Sequence, residues 1–208
     1  MRAFVIAMEC EAACVRPFLK PTDRLYVSGI GKVNAAAATQ RAICEGADEI
    51  VNVGLCGGFG DGIEIGDVFG VESAVEYDFD LAKINGVAIG VVDGFDSPYI
   101  SMAKLPSLMN ADGTARNIPP FRGWRILATG DHFNDREDDH ELITKALGAT
   151  LRDMEGAAVA HVCKMARVRC YGLKCVSDVA GKGAMTGQYE ANKGRCLAVL
   201  SKLLAKVL

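Results

Sequence analysis

A strand, a helix and a second strand are predicted by the segment Arg24-Leu-Tyr-Val-Ser-Gly-Ile-Gly-Lys-Val-Asn-Ala-Ala-Ala-Ala-Thr-Gln-Arg-Ala-Ile-Cys44 and by the run Glu49-Ile-Val-Asn-Val53 that follows it. The apolar runs Arg24–Ser28 and Glu49–Val53 have the length and composition of buried strands. Between them, the alanine-rich run Val33–Cys44 favours a helix, and Gly46 is placed to end it. Because such alternation is typical of parallel pairing, the segment predicts an α/β fold.

The alternation continues in both directions along the chain. Further strands are predicted at Ala3–Ala7, Val68–Val75, Val87–Val92, Trp124–Thr129 and Cys170–Val176. Further helices are predicted from Glu9 to Pro17, at Asp138–Leu147, at Met154–Arg167 and from about Glu190 to Val207. We predict that Gly54–Gly60 forms a loop and that residues 93–120 make a long surface excursion. Residues 1–208 are then one domain with a largely parallel sheet.

The composition excludes several classes of function. The net charge of −3 over 208 residues provides no basic surface for nucleic acid or an anionic membrane. The N-terminal run turns acidic at Glu9, unlike a signal peptide, and no run approaches the roughly 20 apolar residues of a membrane span. We therefore expect a cytoplasmic protein whose partner is a small molecule, with no nucleic-acid or membrane partner.

Neither the cysteines nor the histidines have the spacing of a metal site. The eight cysteines are scattered through apolar stretches, so we expect most of them to be small core residues. His132, His140 and His161 show no ligand spacing. The sequence therefore predicts no metal and no cofactor.

Two acids in the C-terminal third of the chain indicate a site. Glu155 lies in Thr150-Leu-Arg-Asp-Met-Glu-Gly-Ala-Ala-Val-Ala-His161, where a helix is predicted to begin, and Asp178 follows the predicted strand Cys170–Val176. Ligands of α/β sheets bind beyond the carboxyl ends of strands, where Glu11 and Phe133 are also expected. Each residue also has a structural reading, as an acid at a helix start for Glu11 and Glu155 or as an N-cap for Asp178.

Seven ordered motifs resemble those of the nucleoside phosphorylase and nucleosidase superfamily, and most closely the 5'-methylthioadenosine/S-adenosylhomocysteine nucleosidases. They are Ala7-Met-Glu-Cys-Glu11, Ser28-Gly-Ile-Gly-Lys32, Asn52-Val-Gly-Leu-Cys-Gly-Gly58, Ile65-Gly-Asp67, Thr129-Gly-Asp131, Asp153-Met-Glu-Gly-Ala-Ala158 and Val176-Ser-Asp178. The resemblance covers roughly residues 1–70 and 125–205. It implies a single-domain, three-layer α/β fold with a twisted mixed central sheet flanked by helices, and a homodimer.

The resemblance also implies a reaction. Water would hydrolyse the N-glycosidic bond of a purine ribonucleoside, a 5'-modified adenosine, and release adenine. Asp178 would protonate or hydrogen-bond the purine N7, Glu11 would take a proton from the water, and Glu155 would bind the ribose hydroxyls. Separated acids suit this chemistry, because the sugar becomes oxocarbenium-like while the base needs a proton. Further substrate contacts are implied for Met8, Leu55, Gly57, Phe133, Asn134, Met154, Lys174 and Ser177.

Two positions depart from the family pattern. Leu55 stands where the nucleosidases usually have a Ser or Thr that helps to hold the catalytic water. Lys174 stands where many bacterial members have Arg, so the charge is kept but the planar fork is lost. Residues 75–122, which normally complete the 5' pocket and a dimer contact, match poorly.

Three other interpretations remain open at this stage. A phosphate-dependent phosphorylase would need arginines near the phosphate, and only Arg2 and Arg24 are candidates. A nucleoside-binding protein with weakened catalysis is suggested by Leu55. A dinucleotide-binding enzyme is suggested only by Gly29-Ile-Gly31, where Asn34 replaces the third small residue of the motif.

Overall fold

The computed structural model describes residues 1–133 and 137–208. Within these ranges the strands are β1 (Arg2–Ile6), β2 (Arg24–Val27), β3 (Glu49–Gly58), β4 (Val68–Glu76), β5 (Ile100–Ser101), β6 (Phe121–Thr129), β7 (Leu151–Asp153) and β8 (Arg169–Val179). The α-helices are α1 (Glu9–Val15), α2 (Lys32–Cys44), α3 (Ala82–Asn85), α4 (Glu137–Glu141), α5 (Gly156–Ala166) and α6 (Met185–Val207). A π-helical segment, Leu142–Ala146, continues α4.

All eight strands form one mixed sheet. Its order is β2-β1-β3-β7-β6-β4-β5, and β8 pairs with both β3 and β4. β3 is parallel to β1 and β8 but antiparallel to β7. β8 is in turn antiparallel to β4. The sheet is therefore mixed, as the family resemblance implied, and the expectation of a largely parallel sheet was too simple.

Helices cover both faces of the sheet and bury its apolar side chains. One core cluster contains small residues of α2 and α5, including Ala35, Ala42 and Ala157. A second contains residues of α1 and α6, including Val15 and Leu200. Alanine side chains allow α2 and α5 to lie close to the strands, because little volume separates the two backbones. The predicted three-layer α/β fold is confirmed.

The glycine-rich segment after Val53 is a strand and not the predicted loop. β3 continues to Gly58, where it pairs with β8 on one side and with β7 on the other. A Cβ atom on Gly58 would lie 2.7 Å from the Ile63 side chain and 3.1 Å from that of Val176 on β8, so the glycine permits close packing at the end of β3. β8 likewise continues through Asp178 to Val179, which rules out the N-cap interpretation of Asp178.

The middle of the chain also differs from the prediction. Residues 87–92, predicted as a strand, form turns and irregular backbone, and Gly90 has a φ of 84°, which interrupts extended structure. Residues 93–120 are not only a surface excursion, because four apolar side chains within them are buried. These are Ile100, Met102, Leu105 and Leu108. In the described parts of the chain, no helix has both the length and the apolar character that a membrane span requires.

A glycine pair provides a test of the packing. Gly70 in β4 faces Trp124, and a Cβ atom there would lie 2.2 Å from the indole ring, so Gly70→Ala should destabilise the fold by about 1–3 kcal/mol. Gly194 in α6 is exposed, and a Cβ atom there would meet no atom within 4 Å, so Gly194→Ala should stabilise the fold by about 0.8–1 kcal/mol. Urea unfolding measures both changes, and equal effects of the two substitutions would contradict the packing.

Candidate active site

A cavity of about 300 Å³ opens where several strands end. It is lined by residues that follow β1 and β7 and by residues in the C-terminal halves of β3 and β8, close to where ligands of α/β sheets bind. The structure brings most of the predicted site residues to its wall, namely Met8, Glu11, Leu55, Gly57, Phe133, Met154, Glu155, Ser177 and Asp178. The volume is at the lower end of the range for small-molecule sites.

Glu11 is held in the first turn of α1 by backbone amides from two strand ends. Its Oε1 accepts a hydrogen bond from the Leu55 amide at 2.8 Å, and its Oε2 accepts one from the Met8 amide at 3.1 Å. A Cβ atom on Gly54 would lie 2.7 Å from Oε1, so the glycine makes room for the carboxyl group. Burial raises the pKa of Glu11 above its ordinary value, which prepares the group to accept a proton.

Glu155 occupies the N-cap position of α5 but does not use its side chain to cap the helix. Instead its Oε1 accepts a hydrogen bond from the Gly31 amide at 2.9 Å, which ties the glycine loop before α2 to the site. Burial, together with the negative charge of Asp153, raises the pKa of Glu155 to about 7. The group can therefore gain or lose a proton near neutral pH.

Asp178 lies within β8 and is 1% exposed. Its Oδ1 accepts a hydrogen bond of 2.7 Å from the Ser177 hydroxyl, which also lies 3.2 Å from the Cys56 carbonyl oxygen. On the neighbouring strand, a Cβ atom on Gly57 would lie 2.9 Å from Asp178 Oδ2. The absence of a side chain at Gly57 therefore leaves the carboxyl group room at the cavity wall.

Lys174 is the one predicted contact residue that the described structure places behind the cavity wall. Its Nζ lies 2.8 Å from Asp153 Oδ2, and both side chains are 2% exposed. Burial alone would lower the pKa of Lys174, but Asp153, Glu155 and Glu11 together raise it above its ordinary value. Lys174 therefore remains charged and balances the charge of the nearby acids. Its amine is bound to Asp153 at the inner side of the cavity.

Aromatic and sulfur-containing side chains form the outer part of the cavity. Phe133 is 43% exposed, and its ring contacts that of Tyr189 edge-on at 5.5 Å between centroids. The Tyr189 hydroxyl lies 3.5 Å from Met8 Sδ. Asn134, for which the family resemblance implied a substrate contact, lies outside the described residues.

The sequence interpretation missed several residues of the cavity wall. These are Ala7, Ile30, Cys56, His132, Arg152, Asp153, Thr186, Tyr189 and Glu190. Asp153 could have been found, because it belongs to the quoted Asp-Met-Glu motif. Tyr189 was missed because α6 begins five residues before its predicted start. Among the described residues, no group of three or more His, Cys, Asp or Glu is arranged to hold a metal ion.

The mixed sheet, the flanking helices and the cavity with four buried acids define an α/β enzyme that acts on a small molecule. The chain belongs to the phosphorylase superfamily, whose sequence model matches residues 24–208. The predicted resemblance is thereby confirmed at the level of the superfamily.

Similar proteins include two nucleosidases. The aminodeoxyfutalosine nucleosidase of Campylobacter jejuni is 34% identical over 161 residues, which cover 77% of this chain and 69% of that protein. The 5'-methylthioadenosine/S-adenosylhomocysteine nucleosidase of Oceanobacillus iheyensis is 32% identical over 161 residues, with 76% and 69% covered.

A solved structure supports the same relationship. It is that of a Borrelia burgdorferi B31 protein assigned to the 5'-methylthioadenosine/S-adenosylhomocysteine nucleosidases and bound to adenine. It superposes with a TM-score of 0.85 at 25% identity and covers 100% of this chain and 98% of its own.

The raised pKa of Glu155 predicts a pH-dependent stability. Between its ordinary pKa of 4.5 and about 7, the folded state binds more protons at this carboxyl than the unfolded state, so stability falls as the pH rises. Glu155→Gln removes this loss of stability, because glutamine does not titrate. We expect it to raise the free energy of unfolding at pH 8 by about 2–3 kcal/mol relative to wild type, with little difference at pH 4.

Chemical denaturation at the two pH values measures the effect. Glu64→Gln, which alters an exposed carboxyl outside the cavity, serves as the control and should follow the wild type at both. The same offset for Glu155→Gln at pH 4 and pH 8 would contradict the assignment.

Proposed function

We propose that this protein hydrolyses the N-glycosidic bond of a purine ribonucleoside, a 5'-modified adenosine, and releases adenine. The observation that carries the proposal is the convergence of three buried acids, Glu11, Glu155 and Asp178, on one cavity, whose fourth buried acid is bound to Lys174. Two relatives with 32–34% identity are nucleosidases named for 5'-modified adenosine compounds, and a structural neighbour binds adenine. The acids and the relatives support the same bond and the same base.

Asp178 is assigned to the leaving purine. Breaking the bond between the sugar and the base leaves an electron pair on the purine, and a proton placed on N7 stabilises it. The Ser177 hydroxyl fixes the carboxyl group by its hydrogen bond to Oδ1. In its protonated form, this buried carboxyl group can donate its proton to N7.

Glu155 and Glu11 are assigned to the sugar and the water. Positive charge develops on the ribose as the bond breaks, so the carboxyl group of Glu155 can bind the hydroxyls and stabilise the oxocarbenium-like sugar. In this proposal Glu11 accepts a proton from a water molecule while the water oxygen attacks the anomeric carbon. Its two amide contacts from Met8 and Leu55 hold it in one orientation for that transfer.

The electrostatics favour water over phosphate as the acceptor. An inorganic phosphate would have to approach the carboxyl group of Glu11, and the nearest buried cation, Lys174, is bound to Asp153. Of the described residues at the cavity wall, Arg152 and His132 are the basic ones. Arg152 lies on β7, opposite Gly57 of β3, and its guanidinium group packs over the Phe59 ring at 5.6 Å from the ring centroid.

We also propose that two copies of the chain associate, as the family resemblance implies. Val27, Ile30 and Val33 are 41%, 51% and 79% exposed, and Ile30 lines the cavity. Burial of these apolar side chains against a second copy would remove them from water and cover the cavity mouth.

Replacement of Asp178 tests the proposal directly. We expect Asp178→Asn to retain the fold but to lose at least about 100-fold in the rate of adenine release from 5'-methylthioadenosine, because the amide cannot supply the proton. Release of free base by chromatography over a panel of purine nucleosides is the measurement. Asp67→Asn, which alters a buried acid paired with Arg122 outside the cavity, should retain activity. Wild-type turnover by Asp178→Asn would show that the acid is misassigned.

Leu55 favours a second candidate function, nucleoside binding with weakened catalysis. Its side chain lines the cavity next to Glu11, where the family usually has a hydroxyl that holds the water. We expect Leu55→Thr to raise kcat about 10-fold, the value of one hydrogen bond to the attacking water. Steady-state hydrolysis of 5'-methylthioadenosine measures the change, with Leu55→Val as the apolar control of similar shape. An equal kcat for the two variants would contradict a water-holding role at position 55.

A further inference from the structure

We propose that Thr129, Asp153 and Lys174 form a positioning unit at the inner side of the cavity, which fixes the orientation and the charge of Glu155. The inference rests on the proposed function, because it assigns Glu155 to the ribose. Neither Thr129 nor Asp153 is a residue to which the family resemblance gave a role in the sequence analysis. The three side chains come from β6, β7 and β8.

The first part of the unit is a helix cap in which Asp153 and Thr129 replace the side chain of Glu155. The amides at the start of an α-helix lack partners within the helix, and the N-cap side chain usually accepts one of them. In α5 the N-cap residue is Glu155, and its carboxyl group bonds Gly31 instead. The Gly156 amide donates to Asp153 Oδ2 at 2.9 Å, and the Ala157 amide donates to the Thr129 hydroxyl oxygen at 2.9 Å.

Asp153 and Thr129 are also hydrogen-bonded to each other. The Thr129 hydroxyl donates to Asp153 Oδ1 at 2.6 Å, and Thr129 is 0% exposed. A Cβ atom on Gly156 would lie 3.0 Å from Asp153 Oδ2 and 2.3 Å from the Leu127 side chain. The turn from Asp153 to Gly156 therefore packs closely against β6. Glu155 lies within this turn, between two residues that are hydrogen-bonded to each other.

The second part of the unit is a charge balance. Lys174 faces three carboxyl groups, those of Asp153 on β7, Glu155 at the start of α5 and Glu11 on α1, and the Cys56 thiol of β3 lies near it. Asp153 holds the ammonium group at 2.8 Å, so the positive charge sits against Asp153 rather than against Glu155. Loss of the Asp153 charge would leave Lys174 to act on Glu155 and Glu11, which favours their ionised forms.

Asp153→Asn tests the charge, because asparagine keeps the shape and one acceptor. The readout is the pH profile of kcat/KM for 5'-methylthioadenosine between pH 5 and 9. We expect the acidic limb to move to lower pH by about one unit or more, because the carboxyl groups that must be ionised now lose their protons earlier. Asp23→Asn is the matched control, since Asp23 is 3% exposed at its side chain, binds Arg2 at 2.6 Å and lies outside the cavity wall. Its profile should match that of the wild type.

Thr129→Val tests the cap without changing any charge. We expect kcat/KM to fall on the order of 100-fold, mainly through kcat, because a displaced Glu155 no longer meets the ribose in the transition state. Thr129→Ser keeps the hydroxyl and should restore most of the activity. Thr39→Val removes another fully buried hydroxyl, one that bonds Ala35 within α2, and should leave kcat/KM unchanged.

The outcomes separate this proposal from the proposed function. If the wild type is active, either of two results would overturn the positioning unit alone. One is an acidic limb that does not move in Asp153→Asn, and the other is equal activity of Thr129→Val and Thr129→Ser. If Asp153→Asn does not fold, the comparison of the two Thr129 variants decides whether the positioning unit acts on Glu155. A wild type that releases base from no purine nucleoside would overturn the proposed function, and the positioning unit with it.

Discussion

The ion pair between Lys174 and Asp153 is the interaction on which the rest of the site depends. Both side chains are 2% exposed, and the Nζ to Oδ2 distance is 2.8 Å. Removing one partner of such a buried pair typically costs about 3–5 kcal/mol, because the other charge is left without compensation. The pair brings one positive charge close to Glu11 and Glu155, so the protein can bury two further acids beside the cavity. Without it, the repulsion and burial of three carboxyl groups would oppose the fold.

Backbone geometry determines where these acids meet. The segments after β1 and β7 and the C-terminal halves of β3 and β8 border the same cavity, and each contributes an acid or a glycine that makes room for one. Gly54 leaves room for Glu11, and Gly57 leaves room for Asp178. β8 pairs with β3 and β4, which brings Asp178 into the sheet and next to Gly57. The antiparallel pairing of β3 with β7 adds the turn that carries Glu155.

The strong periodic and apolar signals predicted every α-helix except α3 and most of the strands. The family resemblance predicted nine of the residues at the cavity wall, and eight of these lie in the ordered motifs. The misses have physical causes. β7 has only three residues, too few for a pattern, and its stability comes from pairing with β3 and β6. The glycines of β3 indicate a loop locally, whereas close packing between neighbouring strands keeps them extended. Lys174 has a partner, Asp153, that is distant in sequence, so its position behind the wall could only be seen once β7 and β8 were placed.

Above all, we expect this arrangement of buried charge to activate water and not phosphate. The most direct measurement is the mass of the sugar product when 5'-methylthioadenosine is turned over in ¹⁸O-labelled water that also contains inorganic phosphate. We predict free adenine and a free methylthioribose that carries the heavy oxygen at its anomeric carbon. An unlabelled sugar 1-phosphate formed in proportion to the phosphate added would contradict this expectation.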